Sequence, residues 1–464
     1  MQDGHSGGKN WVLGTAALAS FMVALDTMVL TSALATIRAD FNAPMEMLQW
    51  TVNAYNLSFA VLLLTGAALG DRFGRRRMFA TGIAMFMLAS IACAVAKSIV
   101  WLIAARATQG AAAALTLPLA MALLSAAFPR EERARALGIF SSVTGFALIA
   151  GPAMGGALTE SFGWPWIFWI NVPIGVAALV MISTRLRESF GPALGLDFPG
   201  LVLVAAAAFA LVWALLRGND AGWTGAEVLT ALGGGIVLAA AFIGWELRAE
   251  ALMVPMRLFG APAFSSGILA SFLFYAAMYG VLFLLPQWLQ TALGNTPLGA
   301  GLRLLPWTAT LFVTAPVAGA LVNKVGERAL VVTGLLMQAI GLGWIARIVA
   351  PGIAYSALVT PLLLAGVGVS MAMPAVQNAV LSSVALVEMG KASGIFNMGR
   401  FLGGVFGVAL LVATFSARNS TADFTAGFAA AMVTSAVLSL GGAIAGWWLP
   451  ARDRTVAAPA PKSS

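Results

Sequence analysis

The sequence predicts an all-α membrane protein with fourteen transmembrane helices. Three observations carry that prediction: an extreme composition, a series of apolar runs of bilayer length, and a sided distribution of basic residues. Of 464 residues, 60% are hydrophobic and 9% charged, with a mean hydropathy of +0.91, whereas soluble domains carry roughly 25% charged residues. A water-soluble core could not absorb that much apolar surface. Fifty glycines and twenty prolines are tolerated in membrane helices, where small residues allow close packing and neighbours re-satisfy freed backbone groups. A membrane β-barrel would show alternating segments of about ten residues, and the continuous runs of about twenty seen here speak against it.

In chain order, the apolar runs fall near 11–36, 48–70, 78–96, 101–123, 136–158, 166–184 and 198–216. Seven more follow near 227–246, 264–286, 299–321, 329–349, 354–378, 392–415 and 425–448. Each is close to the ~20 residues a bilayer demands. An even number of spans places both termini on one side. If that side is the cytoplasm, inner segments carry Lys9, Arg72, Arg75, Arg76, Arg77, Arg130, Arg133, Arg135, Arg185, Arg187, Arg248, Arg257, Lys324, Arg328, Lys391, Arg452, Arg454 and Lys462. Outer segments carry only Arg38, Lys97, Arg217, Arg347 and Arg418, and Arg106, Arg303 and Arg400 lie inside spans, which accounts for all 26 basic residues. The asymmetry follows the positive-inside rule and predicts a multi-pass protein of the cell (inner) membrane with cytoplasmic termini.

The formal charge of +8 does not indicate a nucleic-acid partner, because the basic residues are scattered over short hydrophilic breaks instead of one soluble face. The single cysteine, Cys93, lies in an apolar run and builds neither a disulfide framework nor a thiolate metal site. His5 sits in a polar terminus, and no basic n-region with a small-residue cleavage site precedes Trp11, so the first run reads as a retained span.

Self-comparison shows a duplication. Asp71-Arg72-Phe73-Gly74-Arg75-Arg76, with Thr81 and Gly82, matches Asn323-Lys324-Val325-Gly326-Glu327-Arg328, with Thr333 and Gly334, at an offset of 252. Leu18–Phe21 and Leu269–Phe272 both read LASF, Gly110 and Pro118 recur as Gly366 and Pro374, and Gly138-Ile139-Phe140 recurs as Gly394-Ile395-Phe396, at offsets of 251 and 256. Helices 1–6 therefore repeat as helices 9–14, and two spans stand outside the repeat. The expected division is an amino-terminal six-helix bundle over 1–190, two inserted helices over 191–254, a carboxy-terminal bundle over 255–450 and a cytoplasmic tail over 451–464. Repeated halves of this kind are characteristic of secondary transporters.

The Asp71–Arg77 loop joins helices 2 and 3 in a tight hairpin with Gly74 at the turn. Positive-inside topology alone needs no aspartate there. Asp71 beside Arg72, Arg75 and Arg76 can form charge-assisted bonds to a neighbouring helix end and act as a gate latch. Such Gly-x-x-x-Asp-Arg-x-Gly-Arg-Arg loops mark the major facilitator superfamily, and over nearly its whole length the chain resembles the superfamily's fourteen-helix drug:proton antiporter branch. Leu25-Asp26-Thr27 with Ala33-Leu34 resembles the branch's first helix, Trp50-x4-Tyr55-x-Leu57 its second and Arg106-x-x-Gln109-Gly110 its fourth. Gly151-Pro152-x-x-Gly155-Gly156 resembles the antiporter motif of helix 5, and Trp166-Ile167-Phe168-Trp169-Ile170-Asn171-Val172-Pro173-Ile174-Gly175 the start of helix 6. The chain departs from the branch at Thr31, Ala35, Ala67, Ala112 and Pro165, the last removing an arginine near the outer end of helix 6. The resemblance implies the major facilitator fold, two pseudo-symmetric six-helix bundles plus two inserted helices.

Asp26 is the one carboxylate well inside a span, and an intramembrane ionisable residue is a functional candidate by default. At ~1.5 Å per residue, Asp26 lies about 22 Å beyond Trp11, and Arg106 and Tyr55 lie about 8 and 10 Å from the outer ends of their helices. Asn171 and Pro152 fall in the same outer half at about 8 and 25 Å from their respective entry sides, so a polar cluster is expected in the first bundle. Asp26 and Arg106 are the expected proton-coupling pair, because burial disfavours a bare carboxylate while a nearby arginine favours it, and separating the two in another state switches proton affinity. Gly151, Pro152, Gly155 and Gly156 supply the close approach and bend of a helix on which two halves rock. Tyr55, Gln109, Asn171, Asn397 and Arg400 are expected to line the substrate cavity; Arg303 is within snorkelling reach of the outer surface. The expected activity is proton-coupled antiport exporting amphipathic drugs or antibiotics by alternating access, or dedicated export of one metabolite or self-made antibiotic, with the charge preference open. An enzyme would need clustered histidines or carboxylates at the interface, and a channel repeated polar rings; neither pattern is present. No cofactor is expected beyond the coupling proton. The expected partners are a small amphipathic substrate and the lipid bilayer, with no nucleic acid, for a chain working as a monomer.

Overall fold

The computed structural model describes residues 3–191, 197–248, 253–385, 388–418 and 424–451. Among them, fourteen helices are long and apolar enough to cross a membrane. We number them α1 (Lys9–Asp40), α2 (Met45–Phe73), α3 (Arg75–Ala94), α4 (Ile99–Ala127), α5 (Arg135–Phe162), α6 (Trp166–Arg185), α7 (Phe198–Asn219), α8 (Ala226–Glu246), α9 (Pro262–Thr291), α10 (Pro297–Val322), α11 (Glu327–Ile348), α12 (Tyr355–Ser382), α13 (Met389–Arg418) and α14 (Phe424–Trp447). All fourteen expected spans are present, most extended by several residues. Most of the tail expected over 451–464, with Arg452, Arg454 and Lys462, and the side chains of His5, Arg130, Arg133 and Asn323 lie outside the described residues.

Local chemistry fixes the ends. Ser98 caps α4 by accepting the Trp101 amide at 3.2 Å, and Thr296 caps α10 by accepting the Gly299 amide at 3.1 Å. The α2–α3 and α10–α11 hairpins turn on Gly74 and Gly326, whose φ angles of +106° and +90° are strained for any side chain with a Cβ. Two spans are interrupted. The sixth pauses at Ile170 between Trp166–Trp169 and Asn171–Arg185. The tenth runs as Pro297–Arg303, Leu305–Thr308 and Thr310–Val325.

The duplication appears in the packing. A Cβ on Gly110 of α4 would strike the Tyr55 carbonyl of α2, and one on its repeat Gly366 of α12 would strike the Trp307 carbonyl of α10. Gly82 of α3 abuts Thr116 and the Ala112 carbonyl of α4, as its repeat Gly334 of α11 abuts Ala372 and the Gly368 carbonyl of α12. These are close crossings of small-residue surfaces, the means by which membrane helices gain van der Waals contact. Helices α1, α9 and α13 are the most buried, and α8 the least.

The inserted pair α7–α8 packs with Leu211 against Gly235. It lies along the seam between the bundles: Phe209 of α7 meets Trp50 of α2 at 5.5 Å, and Asn219 Nδ2 donates to the Ala413 carbonyl of α13 at 2.5 Å. On the side away from the termini, the bundles are joined. Leu298 N of α10 donates to Glu160 Oε2 of α5 at 3.2 Å, and Gln290 Nε2 of α9 to the Ser32 carbonyl of α1 at 2.9 Å. Towards the termini, α10 parts from α5, and Gly138, Ser141 and Ser142 of α5 and Gly319 and Ala320 of α10 are exposed. The bundles are thus joined on the far side, whereas on the termini side these α5 and α10 residues are uncovered while Gly394 of α13 still abuts Leu64 of α2.

Candidate functional site

Five helices converge on Asp26. Arg106 and Gln109 stand three residues apart on α4 and so share one face, and the interruption of α6 at Ile170 starts its second segment at Asn171. Asp26 Oδ2 accepts from Arg106 Nη1 at 2.5 Å, and Oδ1 accepts from Gln109 Nε2 at 2.7 Å and Asn171 Nδ2 at 2.8 Å. Arg106 also donates from Nε to the Thr51 carbonyl of α2 at 3.0 Å and from Nη1 to Gln109 Oε1 at 2.6 Å, with the Tyr55 ring 4.3 Å from its guanidinium carbon. Asp26, Gln109 and Asn171 are 0% exposed and Arg106 1%. An ion pair so completely desolvated holds only with additional hydrogen bonds on both partners, and both have them.

Helix α3 contributes Ser90, which sequence reading passed over, and Cys93, which it considered only as a disulfide or metal candidate. Ser90 Oγ accepts from Gln109 Nε2 at 2.8 Å and Asn171 Nδ2 at 3.3 Å, and Cys93 Sγ donates to Gln109 Oε1 at 3.7 Å. They stand three apart on one face of an otherwise apolar run, which was their only signal. A second omission is on α2: Gln49, Asn53 and Asn56, spaced along one helical face, are 0% exposed, and neither atom of any of the three amides has a partner.

Tyr55, Gln109 and Asn171, expected in a substrate cavity, are buried around the carboxylate in this conformation. Tyr55 stacks on Phe59 at 6.2 Å; Phe59 meets Phe401 of α13 edge-on at 4.1 Å, and Phe401 lies 6.3 Å from Tyr279 of α9. This aromatic chain crosses from one bundle to the other. Arg400 sits at its far end, and Asn397 donates to the Ser393 carbonyl of its own helix at 2.9 Å.

In the α2–α3 hairpin, Asp71 Oδ1 accepts from Arg75 Nε at 2.7 Å. The Arg75 amide donates to the Ser189 carbonyl at 2.8 Å, and Arg76 Nη2 to the Ser183 carbonyl at 2.8 Å. Glu188, not anticipated from sequence, accepts the Arg76 and Arg77 amides at 2.8 and 3.3 Å, as an acid should at a helix N-terminus. Arg72 lies over its neighbour Phe73 at 5.4 Å. These bonds tie the hairpin to the end of α6, within the same bundle. Helix α5 is wedged between bundles: Gly151 and Gly155 abut Met28 and Val29 of α1, the Pro152 carbonyl accepts from Ser32 Oγ at 2.7 Å, and Gly156 abuts the Pro297 carbonyl of α10.

The chain matches the Major Facilitator Superfamily over residues 16–261 and 267–464. It is 34% identical over 396 residues to "Multidrug resistance protein Stp" of Mycobacterium tuberculosis, covering 85% of this chain and 73% of that one. It is 35% identical over 449 residues to "Cephamycin export protein CmcT" of Amycolatopsis lactamdurans, covering 95% and 92%. In fold, it resembles the crystal structure of a bacterial homologue of the human lysosomal transporter Spinster in an inward-facing, unoccupied conformation. The TM-score is 0.67 at 16% identity, over 95% of this chain and 98% of that one.

Proposed function

This chain belongs to the Major Facilitator Superfamily, and on that premise we propose that it is a proton-coupled antiporter exporting amphipathic drugs or antibiotics by alternating access. The observation that carries the reading is the buried Asp26–Arg106 pair with its Gln109 and Asn171 donors. An arginine beside a carboxylate favours the ionised form, and its withdrawal in a low-dielectric site favours the protonated one. In the inner membrane, with the termini cytoplasmic, we assign the conformation described here, joined on the far side, to the cytoplasm-facing state, in which an antiporter releases its proton and takes up substrate. Rocking about α5 then closes that side, opens the other and draws α1 from α4, so that Asp26 takes up a proton as substrate leaves. The Asp71–Arg76 hairpin, bonded within its own bundle here, becomes the latch when the termini side closes, and the glycines 151, 155 and 156 are the bearing surface against α1 and α10.

In this reading, the functional units are residues 1–190, 191–254, 255–450 and 451–464, the protein works as a monomer in the bilayer, and protons are the only cofactor-like species. Dedicated export of one self-made antibiotic is a second reading, supported by the near-complete alignment with a cephamycin exporter. An efflux and growth-inhibition screen across cationic, neutral and anionic compounds, in a host lacking its own pumps, separates broad from single-compound export. Asp26→Asn should insert yet lose pH-driven exchange in proteoliposomes; full exchange by that variant refutes the proton role.

A further inference from the structure

The two bundles treat their intramembrane arginines differently. Arg106 is matched by Asp26, by two further acceptors and by complete burial. Arg400 is half-buried, donates only from Nη2 to the Tyr279 hydroxyl at a long 3.4 Å, and has a buried Nε with no partner. It follows Met389, where α13 begins, by eleven residues, which puts it about 16 Å along the helix, near the middle of a ~30 Å hydrocarbon core. The rings of Tyr275 and Phe401 hold its guanidinium carbon at 4.8 and 5.2 Å.

Among the described residues of the second bundle, no acid compensates it. From 262 to 447, the described acidic residues are Glu327 and Glu388, at the starts of α11 and α13, and Asp423 lies outside the described residues. Glu327 accepts from Asn378 at 2.7 Å and Glu388 pairs with Arg257 at 2.6 Å. Arginine remains protonated in proteins, and the Asp26–Arg106 pair is neutral as a unit. Arg303, about 9 Å from the outer end of α10, rests on the Tyr355 ring at 5.0 Å, so Arg400 is the intramembrane arginine of the described residues that lies near mid-span with no acid beside it and a buried donor unpartnered.

Resting on the export reading, we propose that Arg400 is the recognition point for a negatively charged group, a carboxylate or ionised phenol, on an otherwise aromatic or apolar substrate. The open Nε and an Nη form the fork that suits a carboxylate. The Tyr279 hydroxyl stands beside it as a further hydrogen-bonding group, and the Tyr275 and Phe401 rings, buried in this conformation, would meet the substrate's apolar body once the bundles part. Asp26 retains its own counter-ion, so the anion is bound in the second bundle without competing for Arg106.

The test uses three fluorescent probes of one size, 1-pyrenebutyrate, its methyl ester, and the corresponding trimethylammonium compound, in equilibrium binding to the purified full-length chain. The wild-type chain should bind the carboxylate at least tenfold more tightly than the other two. Arg400→Gln should weaken carboxylate binding by roughly 10- to 100-fold, the loss expected for one charge-assisted bond, and leave the ester within about twofold; Arg400→Lys should restore part of the carboxylate affinity. Equal binding of carboxylate and ester by the wild-type chain, or parallel loss of both in Arg400→Gln, overturns the proposal. So does absence of carboxylate binding. A carboxylate preference that depends on Arg400 in a chain that moves no probe out of vesicles supports the anion site and refutes export.

Discussion

Replacing Asp26 by asparagine removes one charge from a pair whose partners are 0% and 1% exposed. Arg106 would keep the Thr51 carbonyl and Gln109 Oε1 as acceptors but lose its counter-ion. Breaking a buried pair on one side costs about 3–5 kcal/mol. An amide oxygen in the place of Oδ2 can still accept from Nη1, which returns about 1 kcal/mol. The new amide nitrogen would then face Gln109 Nε2 and Asn171 Nδ2, which now donate to Oδ1, so that edge gains a donor–donor clash. The net expectation is a loss of about 2–4 kcal/mol before the donor–donor clash adds to it. Arg106→Gln alone strands the carboxylate at similar cost, whereas the double variant leaves no orphan charge and should be more stable than either. A double-mutant cycle by reversible unfolding in mild detergent should yield a coupling of about 2 kcal/mol or more. Additive losses would refute the pairing on which the proton mechanism rests.

Three further outcomes follow from the packing. Gly156→Val places branched carbon against the Pro297 carbonyl and should prevent closure of the far side; a cysteine introduced at Gln290 should then label several-fold faster with an impermeant thiol reagent, the native Cys93 being buried. Asn53→Leu removes two unpartnered amide atoms and should stabilise the far-side-closed conformation by about 1–2 kcal/mol, read as slower labelling at the same site. Gly74→Ala imposes a Cβ at φ +106° and against the Glu188 carboxylate; it should cost about 1–2 kcal/mol and loosen the hairpin, seen as faster proteolysis at the Asp71–Arg77 turn.

The helices were legible because the bilayer makes length and apolarity obligatory, and a run that satisfies both has little else it can be. The Asp26, Arg106, Gln109 and Asn171 cluster was legible for the converse reason: charged and amide groups in apolar runs are costly enough to stand out, and depth along each helix placed them at similar levels. Ser90 and Cys93 were not, since small hydroxyl and thiol groups in a span can bond to the preceding turn, as Ser90 also does with the Phe86 carbonyl. Glu188 lies beyond its helix, in a stretch with no periodicity to read. Prolines within spans were tolerated as expected, Pro118, Pro152, Pro286, Pro316, Pro361 and Pro374 lying within continuous helix, whereas α6 pauses at Ile170, just after Trp169, the residue whose carbonyl Pro173 cannot bond. The position of α7 between α2 and α13 was beyond sequence reading, because a uniformly apolar helix gives no indication of which neighbour it faces.

The central claim is that substrate and proton cross in opposite directions through Asp26. Its most direct test is proton flux: purified protein in vesicles holding a pH-sensitive dye, with no initial pH difference and an outward gradient of a transported compound. Downhill substrate movement should drive protons inward in the wild-type chain and leave the internal pH unchanged in Asp26→Asn. Substrate leaving wild-type vesicles with no accompanying proton entry would contradict the account.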